Sequence, residues 1–139
     1  PIVIPTSLGG DPLGTELARQ AAERFSWLPQ QYGILYHENG IDTPVRLYQT
    51  FGGRLIMFPS TTDYPLAYLG DNGSSLKLIE RSAKQLAEMS WDDSDGLTEI
   101  ALPLISCGDN SLRQEDVLPI LNKYLSHPRF IIVDTKRVE

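Results

Sequence analysis

The sequence predicts an α/β sandwich with a mixed, mostly parallel central sheet, on three observations. Short continuous apolar runs, including Ile2-Val3-Ile4 and Phe130-Ile131-Ile132-Val133, alternate with stretches whose apolar residues recur at helical spacing. Continuous rather than alternating apolar character marks strands covered on both faces, as parallel sheets require. The 139 residues contain no internal repeat, low-complexity tract or linker, so residues 1–139 are expected to form a single domain around one sheet.

The elements follow in order. Ile2-Val3-Ile4 reads as a buried strand broken at Pro5, and Gly9, Gly10 and Pro12 mark the loop after it. Leu13, Leu17, Ala18, Ala21, Ala22 and Phe25 trace a helix, with Asp11 as its N-cap and Pro12 in its first position. Pro29 to Glu38 suits a short helix, weakened by Gly33, or a strand through Ile34-Leu35-Tyr36. Val45 to Thr50 and Arg54 to Pro59 read as strands joined by Phe51-Gly52-Gly53, a turn with glycine available for positive φ. Leu76, Ile79, Ala83, Leu86 and Ala87 trace the next helix, capped by Ser74 or Ser75, with Glu80 and Lys84 paired on its exposed face. Glu99 to Leu104 forms a strand, and the loop Ser106 to Ser111 leads to a helix through Val117, Leu118, Leu121, Tyr124 and Leu125. Phe130 to Val133 closes the chain as a fully buried strand.

Composition excludes several classes of function. No apolar run approaches the roughly 20 residues needed to cross a bilayer, and Pro1-Ile2-Val3-Ile4-Pro5 lacks the basic region of a secretory signal. An intracellular protein without a membrane partner is expected. The net charge of −6 repels a polyanion, so direct binding of unmodified nucleic acid is not expected. A small anionic ligand is still compatible with that charge, because backbone N–H groups and helix N-termini hold phosphate without Lys or Arg. The single cysteine, Cys107, permits no internal disulfide or cysteine-based zinc site, and reads as packing rather than as a nucleophile. His37 and His127 have no companion at metal-ligand spacing and read as surface or capping residues. Asp92, Asp93 and Asp95 with Gly96 form a solvated turn, since Glu99 lies too early for a twelve-residue calcium loop. No metal or cofactor is implied.

Two segments pass from a strand through small residues into a helix, the arrangement with which α/β proteins hold ligands. The first supplies Thr6, Ser7, Gly9, Gly10, Leu13, Gly14 and Thr15. The second supplies Ser106, Cys107, Gly108, Asp109, Asn110, Ser111 and Leu112. Between them the strand Arg54 to Pro59 ends in Phe58-Pro59-Ser60-Thr61.

The order of these pieces resembles the macro domain family over nearly the whole chain. The resemblance implies a three-layer α-β-α fold and binding of ADP-ribose, a related nucleotide or an ADP-ribosylated macromolecule through the two loops, with Pro59 and Ser60 at the middle strand end. The subgroup containing the DNA and glutamate ADP-ribosyl glycohydrolases carries a Phe-Pro-Thr-Lys strand end and a Gly-Cys-Gly loop, which Phe58-Pro59-Ser60-Thr61 and Ser106-Cys107-Gly108 resemble. That subgroup's catalytic lysine falls at or near Thr61, and the acid of some members falls at Asn110, next to Asp109. A threonine hydroxyl does not replace a lysine ammonium at neutral pH. The helical reading puts Lys77 and Lys84 on a solvated face. The chain begins at the family's second strand, so the resemblance implies that the first strand, and the acid after it that reads adenine, have no counterpart. Three functions follow: a binding module for an ADP-ribosyl nucleotide, a hydrolase of an ADP-ribosyl bond or 1″-phosphate with Asp109, Asn110 or Thr61 in the site, or an interaction module that has lost the pocket.

Overall fold

The computed structural model describes residues 1–7, 13, 15–61, 73–91, 96–103 and 114–133. In chain order these form β1 (Ile2–Ser7), α1 (Glu16–Arg24), α2 (Leu28–Asn39), a 3₁₀ turn (Gly40–Asp42), β2 (Arg46–Thr50), β3 (Gly53–Thr61), α3 (Gly73–Ala87), β4 (Ile100–Pro103), α4 (Gln114–Tyr124) and β5 (Phe130–Val133). The five strands make one sheet in the order β2-β3-β1-β4-β5, parallel except for β2, which pairs antiparallel with β3. The α/β class and mixed sheet are as the sequence predicts.

Strand alternation divides the apolar residues between two layers. Ile4, Leu55 and Met57 pack with Ala18 and Ala21 of α1 and Leu28 and Tyr32 of α2. Val3, Ile56, Phe58, Ile100 and Leu102 point the other way, onto Ile79, Ala83 and Leu86 of α3 and Val117 and Leu121 of α4. The central strands thus lie between two helical layers, which explains their continuous apolar runs.

Several boundaries differ from the sequence reading. β1 does not break at Pro5 but continues to Ser7. The hydrogen bond from the Ala101 N–H to the Pro1 carbonyl sets an alternation that turns Pro5 toward β4. On that side the recorded pairing is Ile2↔Ala101, so the donor that proline lacks is not demanded by the ladder. The N-cap of α1 is Thr15 rather than Asp11; its hydroxyl accepts the Ala18 N–H at 3.2 Å, and the helix starts at Glu16. Residues 28–39 resolve the helix-or-strand ambiguity as a helix, whose N-cap Trp27 makes no side-chain cap and whose C-cap Gly40 sits at φ +55°. α3 begins at Gly73, so Ser74 and Ser75 lie inside it rather than at its cap. The hairpin turn forms where glycine was expected, with Gly52 at φ +118°. Lys77 and Lys84 lie on the exposed side of α3, as the helical reading has it.

β5 is the clearest correction. It is not fully buried: Ile131 and Ile132 are 42% and 41% exposed, because β5 is the sheet's edge and has a strand neighbour on one side only among the described residues.

Candidate functional site

The candidate site is built on the carboxyl ends of the parallel strands. β1 and β4 are adjacent, yet α1, which follows β1, packs on one face of the sheet, and α4, which follows β4, packs on the other. Adjacent parallel strands whose outgoing connections diverge to opposite faces leave a crevice between their carboxyl ends. The two segments singled out from the sequence leave the sheet at this point, one after Ser7 and one after Pro103. The pairing Ile2↔Ala101 sets Pro103 level with Ile4.

On the other side of β1, the register Thr6↔Pro59 and Ser7↔Thr61 brings five of the sequence-predicted residues together, Thr6, Ser7, Pro59, Ser60 and Thr61. The register slips by one residue here, so Ser60 is the extra residue of a bulge, a device that re-aims backbone at the end of a strand. Side-chain hydroxyls supply the carbonyls around it. Ser60 donates to the Thr6 carbonyl at 3.3 Å, Ser82 of α3 donates to the Pro59 carbonyl at 2.7 Å, and Thr15 donates to the Pro5 carbonyl at 2.6 Å. Thr15 thereby ties the start of α1 to the end of β1 while also capping the helix.

Beneath this edge, Thr6 and Tyr32 share a hydrogen bond of 2.7 Å with both residues wholly buried. Burial pushes the Tyr32 hydroxyl up to about 12, an effect that its bond to Thr6 partly offsets. The phenol is therefore neutral at physiological pH and serves as a fixed hydrogen-bonding group. On the flank, Arg81 of α3 donates to the Thr43 carbonyl at 2.9 Å, and the Gln85 side chain accepts the Val45 N–H at 2.9 Å, fastening the segment before β2.

Sequence reasoning missed Tyr32, Ser82, Arg81 and Gln85. The signal available was a polar group on an otherwise apolar helical stripe, as at Ser82 between Ile79 and Ala83. Gly9, Gly10, Gly14, Ser106, Cys107, Gly108, Asp109, Asn110, Ser111 and Leu112 lie outside the described residues. Leu13 is half-buried in the turn before α1. His37 and His127 are exposed, and His127 Nδ1 accepts the Arg129 N–H at 3.1 Å, a local cap. Among the described residues no cluster of His, Cys, Asp or Glu is arranged to hold a metal ion, and no helix is long and apolar enough to cross a membrane.

No protein-family model matches the chain, and no curated protein matches it by sequence. Solved structures do. The macrodomain of Thermus aquaticus DarG superposes with a TM-score of 0.64 at 20% identity, over 96% of this chain and 87% of that one. The chain has the macrodomain fold. Thermosipho africanus DarTG in complex with ADP-ribose matches with a TM-score of 0.68 at 16% identity, over 94% of this chain and 36% of that longer one. A protein from Bacteroides thetaiotaomicron gives 0.69 at 13% identity, over 94% and 84%. The three-layer α-β-α expectation is met. Within this macrodomain fold, the carboxyl ends of β1 and β4 and the bulged end of β3 share one edge of the sheet.

Proposed function

We propose that this protein binds ADP-ribose or a related ADP-ribosyl nucleotide at the carboxyl edge of its sheet, with the diphosphate held by backbone N–H groups of the Gly9 to Thr15 and Ser106 to Leu112 segments. The observation that carries the reading is the divergence of α1 and α4 to opposite faces from adjacent strands, the arrangement at which open α/β sheets take up ligands. A chain of net charge −6 binds such an anion through main-chain donors at close range rather than through a basic surface. That a macrodomain-fold neighbour is in complex with ADP-ribose supports the choice of ligand. The hydroxyl-fastened ends of β1 and β3 supply a rigid base, so less conformational freedom is lost when the ligand is taken up.

Binding is favoured over turnover because Thr61 stands where the resembling subgroup carries its lysine, and a neutral hydroxyl does not stabilise a developing anion as an ammonium does. Calorimetric titration with ADP-ribose, ADP and NAD tests the reading. Saturable heat with ADP-ribose is the expected result, and no heat or thermal shift with any of the three at millimolar concentration overturns it. Release of ADP-ribose from modified DNA or protein by the wild type, lost in Asp109→Ala and Asn110→Ala, would convert the reading to a hydrolase.

A further inference from the structure

α3 carries a serine where its neighbours are apolar. Ser82 is wholly buried, next to the layer in which Ile79, Ala83 and Leu86 pack against Val3, Ile56 and Phe58. An alanine would fill that helical position with no hydroxyl to desolvate and with higher helix propensity. A serine inside a helix commonly turns its hydroxyl back onto a carbonyl of its own preceding turn. Ser82 instead reaches out of its helix and donates to the Pro59 carbonyl of β3 at 2.7 Å.

That carbonyl belongs to the residue before the bulge at Ser60. The pairing of β3 with β2 ends at Arg46↔Met57, so among the described residues no strand continues along that side of β3 past Met57. In a trans peptide the carbonyl of one residue and the N–H of the next point in opposite directions, and no peptide bond here is cis. Holding the Pro59 carbonyl against α3 therefore turns the Ser60 N–H away from α3. The Ser60 hydroxyl donates in turn to the Thr6 carbonyl at 3.3 Å, which fixes the plane of the Thr6-Ser7 peptide at the end of β1. From the opposite layer, Tyr32 shares its 2.7 Å hydrogen bond with the Thr6 side chain. One relay, from Ser82 through Pro59 and Ser60 to Thr6, thus sets two main-chain planes on the edge where β1 and β3 end. It starts from a side chain with no exposed surface.

We infer that Ser82 is a positioning residue for ligand uptake at the carboxyl edge, acting through Pro59 and Ser60 rather than by contact. The inference rests on the ADP-ribose reading above and adds to it a group from the helical layer, outside the loops and strand ends. Main-chain dipoles serve a ligand best when their directions are set before it arrives. A bulge interrupts the ladder that would otherwise set them, and so needs a partner of its own.

Calorimetry with ADP-ribose on Ser82→Ala, Ser60→Ala and the double variant tests it. Ser82→Ala should weaken binding by about fivefold or more, while Ser82→Thr, which keeps the donor, should stay within about twofold of the wild type. Where the added methyl lowers the thermal midpoint, Ser82→Cys, a weaker donor of similar size, replaces it and should give an intermediate loss. The double variant should lose little more than the more impaired single variant, because both groups act in one relay. Leu86→Val, in the same core layer but outside the relay, should lower the thermal midpoint and bind ADP-ribose like the wild type. Wild-type affinity in Ser82→Ala, losses that multiply in the double variant, or an equal loss in Leu86→Val overturns the inference. Ligand-free amide spectra add a readout that does not depend on ADP-ribose: Ser82→Ala should move the Ser60 and Ser7 resonances, and Leu86→Val should not. No binding by the wild type overturns the ADP-ribose reading itself, whereas unmoved Ser60 and Ser7 amides in Ser82→Ala overturn the positioning role whether or not ADP-ribose binds.

Discussion

The two ends of the sheet are built from opposite materials. At the carboxyl end, strand carbonyls are taken by the hydroxyls of Thr15, Ser60 and Ser82, and a buried Tyr32–Thr6 pair lies beneath them. At the amino end, the apolar side chains of Ile2, Leu17, Phe25 and Leu55 line an open trough. At the first end the carbonyls of Pro5, Thr6 and Pro59 are held by side chains of the protein itself. The second presents apolar side chains instead. A rigid, hydrogen-bonded edge suits recognition of a small polar molecule through fixed donors.

The largest expected effect separates the two ends outright. Gly14→Glu puts a bulky carboxylate into the first glycine segment and should weaken ADP-ribose binding by about a hundredfold or more, through a like charge and a lost close approach. Phe51→Asp, at the other end, should leave calorimetric affinity for ADP-ribose unchanged. Equal losses in both variants would break the comparison.

Removing the Tyr32 hydroxyl comes next. Tyr32→Phe keeps the ring in the core but strands the buried Thr6 hydroxyl, which should cost about 1–3 kcal/mol in denaturant unfolding. Adding Thr6→Val removes the other partner and should recover part of the loss. A double variant no better than Tyr32→Phe would mean that the pair is not the source of the stability.

A pH dependence follows from the same residue. The folded-state value of Tyr32 is raised above its ordinary value, so its contribution is fully present below about pH 10 and is lost as pH rises toward about 12. The thermal midpoint should therefore fall over that window more steeply in the wild type than in Tyr32→Phe. Parallel curves for the two proteins would contradict the assignment.

The smallest effects concern the start of α1 and the turn tip. Thr15→Ala removes both the cap on Ala18 and the bond to Pro5, and should cost about 0.5–2 kcal/mol. Phe51→Ser, at a wholly exposed position, should change stability by no more than about 0.5 kcal/mol. A large loss there would show that the ring already packs against the molecule.

The architecture was legible because apolar runs and helical spacing are local signals. Ile56 and Phe58 alternate with Leu55 and Met57 between two helical layers, which a continuous apolar run implies. Prolines and edges were harder to read. Pro5 is tolerated inside β1 because its backbone faces the β4 side, where the pairing among the described residues is Ile2↔Ala101, and the exposure of β5 follows from its place in the sheet, neither of which is encoded nearby in sequence. The N-cap is Thr15, whose hydroxyl meets both the Ala18 N–H and the Pro5 carbonyl, the latter a bond across ten residues that local sequence does not announce. At the carboxyl edge, the register brings together Thr6, Ser7, Pro59 and Ser60, which residue type, strand ends and the family resemblance single out. Tyr32 is not singled out, because its partner lies 26 residues away and a tyrosine on a helix gives no sign of a buried polar bond.

Assigned amide NMR spectra recorded during titration with ADP-ribose test the central claim most directly. Binding at the switch point predicts saturable shifts at Ser7, Thr15 and Thr61 and at the segments following Ser7 and Pro103, with Gln20, Arg24 and Phe51 unmoved. Shifts confined to the groove at the amino end, or none at millimolar ligand, would contradict the account.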